Sequence, residues 1–145
     1  LKIHTKRITV ITNSLKVANS LSESESIQLM VIGGVLGLQS MSFLGRNTIN
    51  SLQNYYVDKA FISCRSISMD FGVTDSNEQQ AEVRQLAIKR AHHVYLIVDH
   101  TKFNKTSFAK ICSFEDIDTL VVDQPLNDEW THFLTEHEIK IIECQ

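Results

Sequence analysis

The sequence predicts an α/β fold of three layers, in which a mostly parallel, Rossmann-like sheet is flanked by helices. Six short apolar runs recur along the chain, five of them near-continuous and rich in Val and Ile, and each ends at a polar residue or a glycine. The runs are Ile8–Ile11, Leu29–Ile32, Ala60–Ile62, Val94–Val98, Leu120–Val122 and Ile139–Ile142. Such runs suit strands buried on both faces. Helical patterns lie between them, and this alternation is typical of βαβ units around a parallel sheet.

Four helices are expected between the strands, each opened by a residue whose side chain can cap it. The capping residues are Ser14, Asn47, Ser76 and Asn127. At Ser76 the pattern is a capping box, because Gln79 follows three residues later. Apolar residues then recur at helical spacing, as Trp130, Phe133 and Leu134 do in the last helix.

Length and composition predict a single domain spanning residues 1–145. Hydrophobic residues make up 43% of the chain and charged residues 21%, which is close to the globular average and argues against intrinsic disorder. No apolar run approaches the ~20 residues that cross a bilayer, and no signal-peptide pattern opens the chain. The three cysteines form no CxxC pair and indicate reduced thiols. We therefore expect a cytoplasmic protein that contacts no membrane.

Charge and motif content exclude several classes of function. Seventeen acidic and fourteen basic residues give 14 − 17 = −3, so this chain alone lacks the basic surface that nucleic acid requires. The six histidines include no HExxH or HxH pattern, and no metal site is expected. No nucleophile elbow, Walker motif or GxGxxG fingerprint is present. The sequence predicts no catalytic residue and no cofactor.

The carboxyl ends of the predicted strands are the places to look for a binding site. Helix amino ends meet the sheet there, and their free N–H groups favour anions. Thr12, Asn13 and Ser14 follow the first strand and could hold a phosphate or a sugar hydroxyl, although helix capping by Asn13 or Ser14 is the commoner explanation of such residues. Gly33 and Gly34 follow the second strand and would let a ligand approach the backbone, or would simply form a tight turn.

Charged residues follow two later strands. Lys102 stands three residues after Asp99, so its amine can reach over the sheet edge to a phosphate, while Asp99 orients it or accepts from a sugar hydroxyl. A surface ion pair would explain the same two residues. Arg65 suits a planar, two-pronged contact with an anion. Its neighbour Cys64 is interpreted as a buried, inert thiol, because no partner base is evident.

Seven segments, each weak alone, together carry a resemblance that covers nearly the whole chain. They are Val10–Leu15, Gly33-Gly34, Ser42–Gly45, Asp58–Ser63, Gly72–Asp75, Asp99–Phe103 and Ile117–Leu120. In this order and spacing the chain resembles the C-terminal sensor domain of DeoR-family bacterial transcriptional repressors. Such domains are similar in fold to ribose-5-phosphate isomerase and glucosamine-6-phosphate deaminase.

The resemblance implies a function. It predicts an effector-sensing domain that binds a phosphorylated sugar, and binding would change how an N-terminal winged helix-turn-helix holds operator DNA in carbohydrate regulation. The residues that fall on the family's effector pocket are Thr12, Asn13, Gly33, Gly34, Asp99 and Lys102. With Ser14 and Arg65 added from the strand ends, these are the candidate effector-binding residues.

Two departures from the family pattern shape the expectations. No helix-turn-helix precedes Leu1, and the family's first strand with its Gly-Thr-Thr loop is not seen, so the chain is interpreted as a fragment that opens on a helix tail at Leu1–Lys6. An unpaired sheet edge would favour a homo-oligomer. The related enzymes carry carboxylates where this chain has Cys64, Arg65 and Ser66, which favours binding without turnover.

Two other functions remain open at this stage. A sugar-phosphate isomerase or deaminase could use Asp58, Asp75 or Glu82 as its base. The domain could also serve mainly for oligomerisation.

Overall fold

The computed structural model describes residues 6–144, and the chain divides into two compact units, Leu1–Asn54 and Tyr55–Gln145. The single domain expected over residues 1–145 stays a prediction. Of the helix tail expected at Leu1–Lys6, all but Lys6 lies outside the described residues.

Unit 1 is built on two parallel strands joined by a helix. Its elements are β1 (Ile8–Thr12), α1 (Leu15–Leu21), β2 (Ile27–Val31), β3 (Val35–Gly37), β4 (Ser42–Leu44) and α2 (Arg46–Leu52). β1 and β2 pair in parallel, with Thr12 opposite Val31, and β3 and β4 form an antiparallel hairpin. A parallel pair needs a crossover, which α1 supplies.

Unit 2 contains a four-stranded parallel sheet in the order β11–β10–β8–β5 and a three-stranded antiparallel sheet in the order β6–β7–β9. Its elements are β5 (Val57–Ile62), β6 (Ser66–Ser68), β7 (Gly72–Asp75), α3 (Glu78–Lys89), β8 (Ala91–Val98), β9 (Ala109–Cys112), β10 (Thr119–Val122), α4 (Asp128–Glu136) and β11 (Lys140–Glu143). The predicted fold class, α/β with a mostly parallel sheet flanked by helices, is confirmed.

The core of unit 2 lies on one face of the parallel sheet. Leu96 of β8 and Leu120 of β10 are fully buried, and Leu134 of α4 packs in the same core. Trp130, also of α4, is 2% exposed, and its indole nitrogen donates to Asn104 Oδ1 at 3.0 Å. A buried indole N–H needs such a partner, so the bond fixes α4 against the loop that follows β8.

Local details differ from the predictions at two helix starts. Ser14 and Asn127 cap α1 and α4 as predicted. α2, however, begins after Gly45, and the N-cap of α3 is Asn77, whose side chain accepts from Gln80 N at 3.0 Å. Among residues 6–144, the longest apolar helix falls well short of a membrane span.

Candidate functional site

A cleft of about 390 Å³ lies at the carboxyl ends of the parallel strands of unit 2. All four strands contribute to it, because parallel strands that share a sheet end at the same edge. Its polar lining residues are Ser63, Cys64, Asp99, Lys102, Asp123 and Cys144. A larger hollow of about 610 Å³ in unit 1 is lined by three serines with Glu23 and Glu25, and its two carboxylates and lack of a cation make it unsuitable for a phosphate.

Asp99 and Lys102 lie together in this cleft. Asp99 precedes a 3₁₀ turn, His100–Lys102, and its Oδ1 accepts hydrogen bonds from the Thr101 hydroxyl and, at 2.8 Å, from Thr101 N. These bonds lower the pKa of Asp99, so the carboxylate is ionised at neutral pH. Lys102 Nζ lies 3.8 Å from Asp99 Oδ2, which is a charge contact longer than a hydrogen bond. The ammonium therefore stays beside Asp99 with its N–H donors available to a ligand.

A second carboxylate fixes the start of the same turn. Asp123 follows β10 and accepts from His100 N at 2.7 Å through Oδ1. Its Oδ2 lies 2.8 Å from His100 Nδ1. The hydrogen bond from the His100 side chain is the main cause that lowers the pKa of Asp123. The ends of β8 and β10 are thereby tied together beside Lys102.

Cys64 brings no charge to the cleft. The side chain is 8% exposed, as expected for a buried thiol, and burial raises its pKa to about 12. The thiol is therefore protonated at neutral pH and is a poor nucleophile. Its neighbour Arg65 is exposed and lies outside the cleft lining, with its backbone N–H donating to Thr74 O at 3.1 Å.

Three candidate residues in unit 1 stabilise the turn after β1 through side-chain hydrogen bonds. Thr12 Oγ1 accepts from Ser14 N at 3.0 Å, and Ser14 Oγ accepts from Val17 N at 3.3 Å as the cap of α1. Asn13 Nδ2 donates to Phe43 O at 2.9 Å, which attaches the β3–β4 hairpin to this turn. Both hydroxyls keep a proton that can be donated, so structural work and ligand contact are compatible here.

The two glycines after β2 differ in their surroundings. A Cβ on Gly34, whose φ is +154°, would lie 2.1 Å from Thr48 Oγ1 and 2.7 Å from Leu44 O. Thr48 is 1% exposed, and its hydroxyl donates to Gly33 O at 2.8 Å. A Cβ on Gly33 would meet nothing within 4 Å. Close packing of α2 therefore explains Gly34, whereas the backbone at Gly33 is open to approach.

The carboxylates considered for catalysis are not placed for it. Asp58, on the first half of β5, and Glu82, on α3, are exposed, and neither lines the cleft. Asp75 forms an ion pair with Arg84, whose other arm donates to Ser63 Oγ at 3.1 Å. No three potential metal-ligating side chains come together anywhere in residues 6–144.

Of the eight candidate effector residues, the structure brings Asp99 and Lys102 into the unit 2 cleft. Five others belong to unit 1, where Ile32 N donates to Thr12 O at 2.8 Å, so the turns that begin at Asn13 and Gly33 follow neighbouring parallel strands. Sequence reasoning did not find Ser63 or Asp123. Both are the first polar residue after a predicted strand, which is the signal that could have identified them.

Residues 2–124 match the family model described as the DeoR C terminal sensor domain. The HTH-type transcriptional regulator IolR of Bacillus subtilis is 34% identical over 94% of this chain and 54% of its own length. A putative aga operon transcriptional repressor of Escherichia coli O157:H7 is 33% identical over 93% of this chain and 50% of its own. The glycerol-3-phosphate regulon repressor of Escherichia coli K12 is 25% identical over 93% and 54%. The chain thus spans about half the length of the curated relatives it matches.

Proposed function

Because the chain belongs to the DeoR C-terminal sensor-domain family, we propose that it binds a phosphorylated sugar and so modulates operator binding by an N-terminal helix-turn-helix domain of the same regulator. Two relatives support this proposal by name, since one is called an HTH-type transcriptional regulator and another a glycerol-3-phosphate regulon repressor. The regulator would act on carbohydrate genes in the cytoplasm as a homo-oligomer.

The observation that carries the proposal is the pair of Lys102 and Asp99 in the cleft at the strand ends. The Lys102 ammonium supplies the positive charge that a phosphate needs, and the ionised Asp99 accepts hydrogen bonds from sugar hydroxyls. We assign the remaining candidates secondary roles in the same recognition. Thr12, Asn13, Ser14, Gly33 and Gly34 stay proposed effector-binding residues of unit 1, and Arg65 would discriminate among effectors.

Binding without turnover fits the acid–base character of the cleft. A general base works best with a pKa near the operating pH, whereas hydrogen bonds lower the pKa values of Asp99 and Asp123. Cys64 is protonated, and Asp75 is paired with Arg84. These properties favour a sensor over an isomerase or deaminase. A sensor must also bind its effector better in one conformation than in another, with a coupling that is typically ~1–3 kcal/mol.

The test is ligand-induced stabilisation of the chain and of Lys102→Ala. Thermal unfolding is measured with the phosphates of tagatose, fructose, galactitol and glucitol, and with the same sugars unphosphorylated. A cognate effector at about 100 times its dissociation constant should stabilise the chain by ~2.7 kcal/mol. Lys102→Ala should abolish this gain, because the phosphate loses its cation.

Lys105→Ala is the matched control, since Lys105 is exposed and lies outside the cleft lining. It should respond to the phosphates as the unsubstituted chain does. Equal stabilisation of Lys102→Ala and Lys105→Ala would remove Lys102 from the site. Stabilisation by the unphosphorylated sugars as strong as by their phosphates would contradict recognition of a phosphate.

A further inference from the structure

Ser63 lines the unit 2 cleft and accepts a hydrogen bond from a residue outside the cleft. Ser63 directly follows β5, the strand beside β8 in the sheet, so it lies next to the strand that leads to Asp99. Its Oγ accepts a hydrogen bond from Arg84 Nη2 at 3.1 Å. Arg84 stands on α3, 21 residues further along the chain.

The arginine is itself fixed in place. Its other arm, Nη1, is paired with Asp75 Oδ2, and the Asp75 side chain is 10% exposed. The second oxygen, Asp75 Oδ1, accepts from Asn77 N at 3.1 Å, at the residue that caps α3. Asp75 is thus fixed by Asn77 N, and it fixes in turn the position from which the Arg84 guanidinium donates to Ser63. The charges of Asp75 and Arg84 cancel.

Hydrogen-bond chemistry then sets what Ser63 can do. A guanidinium only donates, so the Ser63 oxygen is the acceptor in this bond and its own proton is left to be donated elsewhere. We propose that Ser63 donates a hydrogen bond to an uncharged oxygen of the effector, a hydroxyl or a carbonyl, and that Arg84 is the positioning residue for this contact. This inference rests on the proposed function.

The distribution of charge favours a sugar oxygen over the phosphate at Ser63. The Arg84 cation is already neutralised by Asp75, so this end of the cleft offers a donor without net charge. Lys102 contacts Asp99 only at 3.8 Å and remains the better partner for a dianion. The cleft would therefore bind two groups of one ligand, the charged group at Lys102 and a carbohydrate oxygen at Ser63.

Calorimetric titrations of the chain separate these two contacts. The probes are inorganic phosphate, which carries no sugar oxygen, and the phosphates of tagatose, fructose, galactitol and glucitol. Ser63→Ala should weaken the tightest of the four sugar phosphates about three- to tenfold and leave inorganic phosphate unchanged. Lys102→Ala should weaken both kinds of probe. Ser76→Ala, at an exposed serine outside the cleft, should change neither.

Arg84→Lys tests positioning, because lysine keeps the charge beside Asp75 but lacks the planar fork that also reaches Ser63. It should weaken the sugar phosphate as Ser63→Ala does, spare inorganic phosphate, and add nothing when combined with Ser63→Ala. The role of Arg84 would be overturned if the double variant bound the sugar phosphate more weakly than Ser63→Ala by the same factor that Arg84→Lys causes alone.

Two outcomes separate this inference from the proposed function. Unchanged sugar-phosphate affinity in Ser63→Ala, together with a loss in Lys102→Ala, would overturn the Ser63 contact and leave the proposed function standing. Failure of all four sugar phosphates to bind the unsubstituted chain would overturn both.

Discussion

Asp123 and His100 show how one carboxylate can organise a binding turn. Asp123 accepts from both the backbone nitrogen and the ring of His100, so it fixes the first residue of the turn that ends at Lys102. The position of the Lys102 amine therefore depends on the side chain of a residue that follows a different strand, β10.

The stabilisation from Asp123 should disappear in acid. Its pKa lies below the ordinary value of 3.8 in the folded chain, so the contribution is present above that value and is lost as the pH falls through the folded pKa. Asp123→Asn should therefore be less stable than the unsubstituted chain near pH 6, and the two should converge once the pH has fallen below the folded pKa of Asp123. Urea unfolding followed by the fluorescence of Trp130, the single tryptophan, measures both.

Asp58→Asn provides the comparison for this experiment, because Asp58 is an exposed aspartate of unit 2 outside the cleft. We expect Asp123→Asn to lose more stability near pH 6 than Asp58→Asn does. A deficit of Asp123→Asn that stayed constant from pH 6 to pH 2.5 would show that ionisation of this carboxylate is not the cause.

At the scale of elements, the turn after β2 depends on the close approach of α2. Gly34→Ala would force a methyl group against Thr48 Oγ1 and Leu44 O at a positive φ. Leu44 O is a backbone carbonyl oxygen, so it cannot move away by a side-chain rotation. We expect a loss of about 1–3 kcal/mol in the free energy of unfolding. Thermal unfolding followed by far-ultraviolet circular dichroism measures it.

Gly33→Ala is the control in the same turn, because its Cβ would enter open space. Its effect should stay within about 0.5 kcal/mol. Equal stability of the two alanine variants would mean that α2 does not pack against the turn as closely as the distances indicate. A Gly33→Ala variant that folds normally but binds the effector poorly would instead point to ligand contact at Gly33.

The parallel strands were predictable from the sequence because each falls on a run rich in apolar residues. Burial on both faces, which the same runs predict, is wrong for the four-stranded sheet, because Leu96 and Leu120 are fully buried whereas Phe61 and Ile97 are 63% and 44% exposed. The five short antiparallel strands were not predictable, since three or four residues such as Ser66–Ser68 are too few to show an alternating pattern. The observed N-cap of α3, Asn77, lies one residue after the predicted one, Ser76. Both residue types are good N-caps, and the hydrogen bond from Asn77 N to Asp75 favours Asn77.

One pair of residues in the candidate site, Asp99 and Lys102, could also be predicted from the sequence. Asp99 and Lys102 are three residues apart on one turn, so their proximity follows from local geometry. The contact between Ser63 and Arg84 joins residues 21 apart, and that between His100 and Asp123 joins residues 23 apart. Tertiary packing alone creates such pairs, and no spacing rule predicts them.

At the scale of the whole molecule, recognition of a small anion and recognition of DNA make different demands on charge. One ammonium in a cleft suffices for a phosphate, whereas a DNA-binding surface needs many cations on one face. This chain has a net charge of −3 and spans about half the length of relatives named as transcriptional regulators. Under the proposed function, operator contact would therefore belong to an N-terminal helix-turn-helix domain and not to these 145 residues.

The chain itself should therefore leave duplex DNA unretarded in an electrophoretic mobility assay, with or without sugar phosphate, at about 50 mM and at about 200 mM salt. The low-salt condition is the more demanding one, because counterion release strengthens any phosphate contact as salt is removed. A helix-turn-helix repressor with its own operator serves as the positive control. Retardation by the chain that is strong at low salt and lost at high salt would reveal a basic face that the overall charge conceals, and operator contact would then have to be reassigned to this chain.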